Sequence, residues 1–343
     1  MPDPLVSALQ RLAARSPLSA EEVAAAFDLL MEGRGTAAQA SGFLLGLRAR
    51  GETAEEVAGA ATAVRRAMVP VHHAQADRLV DTCGTGGGRV TTVNLSTAAA
   101  FVAAAAGVPV AKHGNRSHTS RSGSADVLEA LGVPIGLAPA EASVSLERAG
   151  LVFLFAPAHH PAMKQLAPVR RDLGVPTILN LVGPLANPAG VRRQVIGVAD
   201  ADRGPVVAEA LRLLGTTHAL VVHAEVGMDE ISPVGRTLTW EVDGAGIRED
   251  SLDPASLGLA SHNLAGLEGG EPADNAARIR VLFDDRAPPA LRAAVLLNAA
   301  AAIYVSDGGG DWLAAAGRAT DALRSGAARR KLEEVSGAVS TSG

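Results

Sequence analysis

From Asp77 onward the sequence sets short apolar runs against helical patterns, and this alternation restricts the architecture more than any other feature. The runs are RLVDTCG, VPVAKHG, LVFLFAP, TILNLVGP, QVIGVAD, HALVVHA and TLTWEV. Several are apolar at consecutive positions instead of alternate ones, as strands covered on both faces are. Helical patterns separate them at Ser124 to Leu131, Glu141 to Ala149 and Pro205 to Leu214. The reading is α/β with a mostly parallel sheet. In such a sheet ligands lie beyond the carboxyl ends of the strands, and the polar clusters below follow directly on apolar runs.

The segment before Asp77 is different. Leu5, Leu9 and Leu12 fall on one helical face, Ser19 to Glu22 has the form of a capping box, and Gly51 followed by Thr53 reads as a helix stop and a new cap. Four short helices are expected there. The fold class is therefore α/β: a small N-terminal helical domain over 1–73 plus a larger α/β domain with a mostly parallel sheet over 74–343. After Asp250 the chain reads as looser until three C-terminal helices, Pro272 to Leu282, Pro289 to Tyr304 and Trp312 to Leu323. Residues 336–343 read as a disordered tail.

Composition bounds the function. The 343 residues carry a net charge of −5, a pI near 6.0 and 3% aromatics, which argues against a nucleic-acid footprint and a base-stacking platform. One cysteine, Cys83, permits no internal disulfide. The N-terminus lacks the apolar core of a signal peptide, and each apolar stretch is broken before 18 residues, so no membrane association and a cytoplasmic location are expected.

Chemistry concentrates first at Asp81 to Thr97, DTCGTGGGRVTTVNLST. An apolar run ends, Gly84, Gly86, Gly87 and Gly88 follow, and an alanine-rich helix begins near Ser96. Glycines able to take φ > 0 and the unpaired N–H groups of a helix start make a phosphate cradle, although a close-packing turn would carry the same glycines. No GxxxxGK[ST] is present, and the spacing is not that of a dinucleotide loop. A second anion loop is KHGNRSHTSRSGS, Lys112 to Ser124. Two such loops suit a ligand with phosphate at both ends. Asp229-Glu230, after LVVHAE, are either solvated surface charge or the hard oxygen ligands of a magnesium–polyphosphate complex. Arg170 could fork onto a carboxylate, or could be an ordinary helix-surface arginine.

Taken together, GTGG with TxNxST, KHGNRS with SGSADVLEALG, HPAMK with PVRR, NLxGPLxNP, LVVH with DEIS, and VLLNAAAA with its following tyrosine resemble the anthranilate phosphoribosyltransferase family over nearly the whole chain. The related pyrimidine nucleoside phosphorylases share the architecture, and a nucleoside phosphorylase-like enzyme or transfer to another aromatic amine is the alternative. The resemblance implies transfer of a phosphoribosyl group from phosphoribosyl pyrophosphate to anthranilate, with Mg2+ as cofactor. It implies a homodimer formed through the helical domain, which would also receive a returning segment near 160–188.

Site residues implied by the resemblance are as follows. Gly84, Gly87, Gly88, Thr92, Asn94, Leu95, Ser96, Thr97, Lys112, His113, Gly114, Asn115, Arg116, Ser117, His118, Thr119, Ser120 and Ser124 would hold the donor. Ser96, Asp229 and Glu230 would hold the metal. Gly84, Asn115, His160 and Arg170 would meet anthranilate, and Lys112, His113 and Arg170 would act in catalysis, His113 as the group that positions or receives the amine proton. The family pattern GTGGDG is broken here by Gly88 and Arg89, which exchanges a carboxylate for a cation. His118, Arg121, His159 and Ala224 depart from it as well.

Overall fold

The computed structural model describes residues 3–117 and 121–337. Four helices open the chain: α1 (Pro4–Ala13), α2 (Ala20–Met31), α3 (Ala37–Arg50) and α4 (Ala54–Ala67). Their starts follow from the sequence. Asp3 caps α1 through its carboxylate, and Ser19, Thr36 and Thr53 form capping boxes with Glu22, Gln39 and Glu56. Gly51 ends α3 at φ 91°, a conformation that side chains resist.

The α/β part then runs β1 (Val80–Gly84), α5 (Leu95–Ala105), β2 (Val110–Gly114), α6 (Ser124–Ala130), α7 (Pro139–Ala149), β3 (Leu151–Phe155), α8 (Ala156–His159), α9 (Ala167–Leu173), α10 (Ile178–Leu185), β4 (Arg193–Gly197), α11 (Gly204–Leu213), β5 (His218–Ala224), β6 (Thr237–Asp243) and β7 (Gly246–Leu252). It closes with α12 (Pro272–Phe283), α13 (Pro289–Ser306), α14 (Trp312–Arg324) and α15 (Ala327–Val335).

One seven-stranded sheet results, in the order β3-β2-β1-β4-β5-β6-β7. The first five strands are parallel, β6 runs antiparallel to β5, and β7 runs antiparallel to β6. The chain winds from β1 out to β3 and returns to the other side of β1 as β4, so the strand order reverses between β1 and β4. Their register pairs Gly84 with Gly197 at the carboxyl edge.

Two of the sequence expectations fail locally. TILNLVGP is not a strand but most of α10. A short apolar run carries no decisive period, and here Thr177 accepts from Leu179 N–H at 3.4 Å while its own N–H donates to Asn180 Oδ1 at 3.2 Å, which starts a helix. The stretch after Gly246 forms β7, whose mostly exposed polar residues gave no apolar signal. A fourth C-terminal helix, α15, adds to the three expected. Of the expected tail, 338–343 lie outside the described residues.

One face of the sheet is covered by α5, α12, α13, α14 and α15. On the other, Val207, Leu211 and Trp240 join Phe27, Phe43 and Leu47 of the first four helices, with Leu179 and Val182 of α10, in one continuous apolar cluster. The helical bundle is thus packed onto the sheet through α4, α10 and α11. Helix α13 has the length and apolarity to cross a membrane, but 83% of its window is buried inside the protein, so here it is a core helix.

Candidate functional site

The loop after β1 turns through Gly86 and Gly87 at φ 68° and 85°, where a side chain would be strained. It is stitched down on every side. Thr85 N–H donates to Gly197 O at 2.8 Å, Arg89 N–H to Gly227 O at 2.9 Å and Val93 N–H to Leu267 O at 2.8 Å. Asn94 then leads into α5 without a side-chain cap; its carbonyl takes the Thr97 and Ala98 N–H groups at 3.1 and 3.0 Å, and the Ser96 N–H faces Glu230.

Asp229 and Glu230 meet this loop from across the sheet. Gly86 N–H donates to Asp229 Oδ2 at 3.1 Å, and Thr92 Oγ1 donates to Glu230 Oε2 at 3.0 Å. A Cβ on Gly84 would stand 2.9 Å from Asp229 Oδ2, so the glycine at the end of β1 makes room for that carboxyl. Both carboxyls have raised pKa values, chiefly because burial penalises the charged form, with Asp229 adding to the effect on Glu230. Neither makes an ion pair among the described residues. Two enclosed carboxyls short of positive charge, with Ser96 lining the same small cavity, fit a hard divalent cation. No three His, Cys, Asp or Glu side chains converge among the described residues. The rest of the coordination shell must come from substrate oxygens and water.

Lys112 is buried at the end of β2, its Nζ hydrogen-bonded to Thr82 O and 3.4 Å from Ser96 Oγ. Burial lowers its pKa and nearby Asp81 opposes that shift. Asp81 is itself held by His113 N–H at 3.1 Å and Asn187 Nδ2 at 2.8 Å. The ends of β1 and β2 are thereby locked together beneath the cradle.

In the second loop, Ser124 Oγ donates to Asn115 O at 3.3 Å, and Gly114 exists because a Cβ there would collide with Ser124 and stand 2.9 Å from the Phe153 ring. Ser117 and Gly123 N–H groups both donate to Asp126 Oδ2, at 3.1 and 2.9 Å. Arg116 lies apart from the cradle: its guanidinium binds Asp126 at 2.8 Å and Glu129 at 2.9 Å on the exposed side of α6. Leu95 and Thr97 have buried side chains, so Leu95 can offer only its backbone to a ligand. His118, Thr119 and Ser120 lie outside the described residues.

On the other side of β2, the rings of His113 and His160 are 5.1 Å apart and both are buried. Burial, reinforced by the neighbouring histidines, depresses His113 to about 3 and His160 to about 4. Both are neutral at pH 7. Val69 N–H donates to His159 O at 2.7 Å and His159 Nδ1 lies 3.1 Å from Val69 O. A carbonyl only accepts, so Nδ1 carries the proton, and the pair ties the linker after α4 to this segment. Arg170, on α9, is half-buried and has no ion-pair or hydrogen-bond partner for its guanidinium among the described residues. Burial lowers its pKa.

Three supporting asparagines, two of them inside the motifs quoted above, were given no role from the sequence. Asn187 bridges Asp81 and Ala111 O. Asn298, on α13, exchanges two hydrogen bonds with the Ile231 backbone, at 3.0 and 2.9 Å, and so fixes the residue after Glu230. Asn275 donates to Asn94 Oδ1 at 3.1 Å. A polar residue inside the apolar run of α13 was the available signal.

The helical bundle and the α/β sheet that carries the glycine cradle each match a glycosyl transferase family profile, which gives the class of the protein. The profile described as "Glycosyl transferase family, a/b domain" matches residues 76–329, and "Glycosyl transferase family, helical bundle domain" matches residues 6–68. Within that class the chain belongs to the anthranilate phosphoribosyltransferase family. It is 48% identical over 328 residues to the anthranilate phosphoribosyltransferase of Parvibaculum lavamentivorans, covering 95% of both chains. The crystal structure of the Thermus thermophilus enzyme of that name is similar at TM-score 0.89 and 40% identity, covering 96% of this chain and 98% of that one. The Saccharomyces cerevisiae enzyme in complex with PRPP and Mg is similar at TM-score 0.89 and 28% identity, covering 99% of both chains.

Proposed function

We propose that the protein transfers the phosphoribosyl group of phosphoribosyl pyrophosphate to anthranilate, releasing pyrophosphate and forming N-(5-phosphoribosyl)anthranilate in tryptophan biosynthesis. The observation that carries this reading is the meeting of the glycine loop with the acidic pair: Gly86 bonded to Asp229, and Thr92 to Glu230. Backbone donors for an anion and carboxyls for a cation then lie within one ligand's length.

Asp229, Glu230 and Ser96 would hold Mg2+, which supplies positive charge to the departing pyrophosphate. The chain's own groups do the rest. The loop residues Gly84 to Gly88 and Asn94 to Thr97 bind the donor, Gly87 and Gly88 through N–H groups that have no partner among the described residues, and Lys112 lies beneath them. Displacement at the ribose carbon has oxocarbenium character and leaves negative charge on pyrophosphate. Preorganised donors around that charge each contribute about 3 kcal/mol. Gly114, Asn115, Ser117 and Ser124, with His118, Thr119 and Ser120, complete the second phosphate loop. Arg116 serves it through the ion pairs that brace α6.

Arg170 receives the anthranilate carboxylate, since a half-buried guanidinium with no partner calls for an anion. Gly84, Asn115 and His160 would border the bound acceptor. The aromatic amine is neutral at pH 7 and attacks without prior deprotonation. His113, depressed to about 3, does not keep the proton that the new ammonium then loses, which passes to water; its neutral ring positions the amine as a hydrogen-bond acceptor.

We assign residues 1–73 and the segment near 160–188 to one helical unit, with 74–343 carrying the donor site. A second copy would pack on this unit, where Val6 on α1 and Leu45 on α3 are exposed to 38% and 45%. A homodimer acting in the cytoplasm is the assembly proposed. The direct test is loss of anthranilate fluorescence on mixing with donor, Mg2+ and protein. No loss with anthranilate, alongside turnover of another amine, would move the assignment to that acceptor.

A further inference from the structure

The family pattern has Asp-Gly where this chain has Gly88-Arg89, and the geometry around the two positions gives the exchange a role. A Cβ on Gly88 would stand 2.8 Å from Asp229 Oδ1 and 3.2 Å from Asp229 N. With no side chain there, the acidic loop lies directly against the glycine loop. Arg89 is fastened to the same acidic loop by its N–H bond to Gly227 O at 2.9 Å.

Its stem follows that loop. Gly227 is buried at φ 88°, and a Cβ on it would stand 3.2 Å from Arg89 Cβ and 3.3 Å from Arg89 Cδ. The aliphatic part of Arg89 therefore lies over Gly227, two residues before Asp229. The residue is exposed, and its guanidinium has no ion pair or hydrogen bond among the described residues. Exposed arginines elsewhere are of both kinds: Arg116 is committed to Asp126 and Glu129 and Arg318 to Asp307, while Arg78, Arg148 and Arg171 have no side-chain partner among the described residues, so it is the place of Arg89 and not its lack of a partner that matters. Lys112 is buried and engaged below the cradle with Thr82 O and Ser96.

We propose that Arg89 is a donor-binding residue that pairs directly with the diphosphate end of phosphoribosyl pyrophosphate and gives this chain a metal-independent component of diphosphate affinity. The proposal rests on the donor reading above. The diphosphate end is the one involved because Arg89 lies against Gly227, on the loop that carries the cation-site carboxyls two residues later, and divalent cations of this kind are held between carboxylates and phosphate oxygens. A guanidinium forks onto two phosphate oxygens at once, and a charge-assisted pair of this kind is about twice as strong as a neutral hydrogen bond.

The test is calorimetric titration of the full chain with inorganic pyrophosphate, in EDTA and in Mg2+, for wild type, Arg89→Ala and Arg89→Lys. Wild type binds in EDTA, Arg89→Ala weakens that binding by about tenfold or more, and Arg89→Lys keeps part of it. Mg2+ narrows the gap between wild type and Arg89→Ala, while affinity for ribose 5-phosphate stays unchanged. The proposal is overturned if wild type needs Mg2+ to bind pyrophosphate, if Arg89→Ala matches wild type in EDTA, or if ribose 5-phosphate binding falls equally. Pyrophosphate binding that follows Arg89 in a protein that does not consume anthranilate would leave this inference standing and refute the acceptor assignment alone.

Discussion

The backbone of Asp229 lies across Gly197 so closely that no side chain fits between them: a Cβ on Gly197 would overlap the Asp229 carbonyl and stand 3.3 Å from its Cα. Gly197 is the last residue of β4, paired in register with Gly84. The acidic loop can thus lie over the sheet edge at the point where the strand order reverses. Gly197→Ala must displace either the strand end or the loop. Overpacking of this kind costs roughly 1–3 kcal/mol, and donor affinity falls as the Gly86–Asp229 bond is lost. Thermal melting together with donor titration checks this; a variant with wild-type donor affinity would show that the contact is not needed.

Arg170→Ala should raise the KM for anthranilate by about tenfold or more, the scale of one lost charge-assisted pair, with the donor KM little changed. Steady-state kinetics with each substrate varied in turn separates the two. An unaltered anthranilate KM removes Arg170 from the acceptor pocket.

The buried histidines make stability depend on pH in a defined direction. His113 and His160 are depressed to about 3 and about 4. Below the unfolded value near 6.5 the unfolded chain takes up protons that the folded chain refuses. The stabilisation is present above pH 6.5 and is lost as pH falls toward 4. Each residue contributes at most about 1.4 kcal/mol per pH unit across that window. His160→Gln should flatten the fall in Tm between pH 6.5 and 4.5, and parallel curves for the two proteins would contradict it.

Glu230 behaves in the opposite sense. Its folded pKa is raised by burial and by Asp229, so its contribution is present below the ordinary carboxylate range and is lost as pH rises through the raised value. Glu230→Gln should therefore melt higher than wild type at pH 8 in EDTA. Mg2+ should raise the Tm of wild type and leave that of Glu230→Gln where it was. Equal Mg2+ stabilisation of both proteins would exclude Glu230 as a ligand.

The sequence by itself determined the local elements and the identity of the loops. Caps at Ser19, Thr36 and Thr53, the stop at Gly51 and the apolar runs of β1 to β5 depend on neighbours a few residues away, and such neighbours are visible in the chain. The glycines after Leu79-Val80 marked the cradle for the same reason. Where a local signal was ambiguous, as in TILNLVGP, or missing, as in polar β7, the reading failed.

Only the tertiary structure decided which polar groups meet. Asp229 is 143 positions from Gly86 and Glu230 is 138 from Thr92, and no periodicity reports a contact between loops so far apart. The same holds for Asn298 fastening Ile231 and for Arg116 turning to Asp126 and Glu129 instead of the cradle. The physical reason is that burial and charge are properties of the assembled site. From spacing alone Asp229 and Glu230 are either solvated surface charge or metal ligands, and the resemblance favours the second; their enclosure at the sheet edge is visible only in the assembled fold.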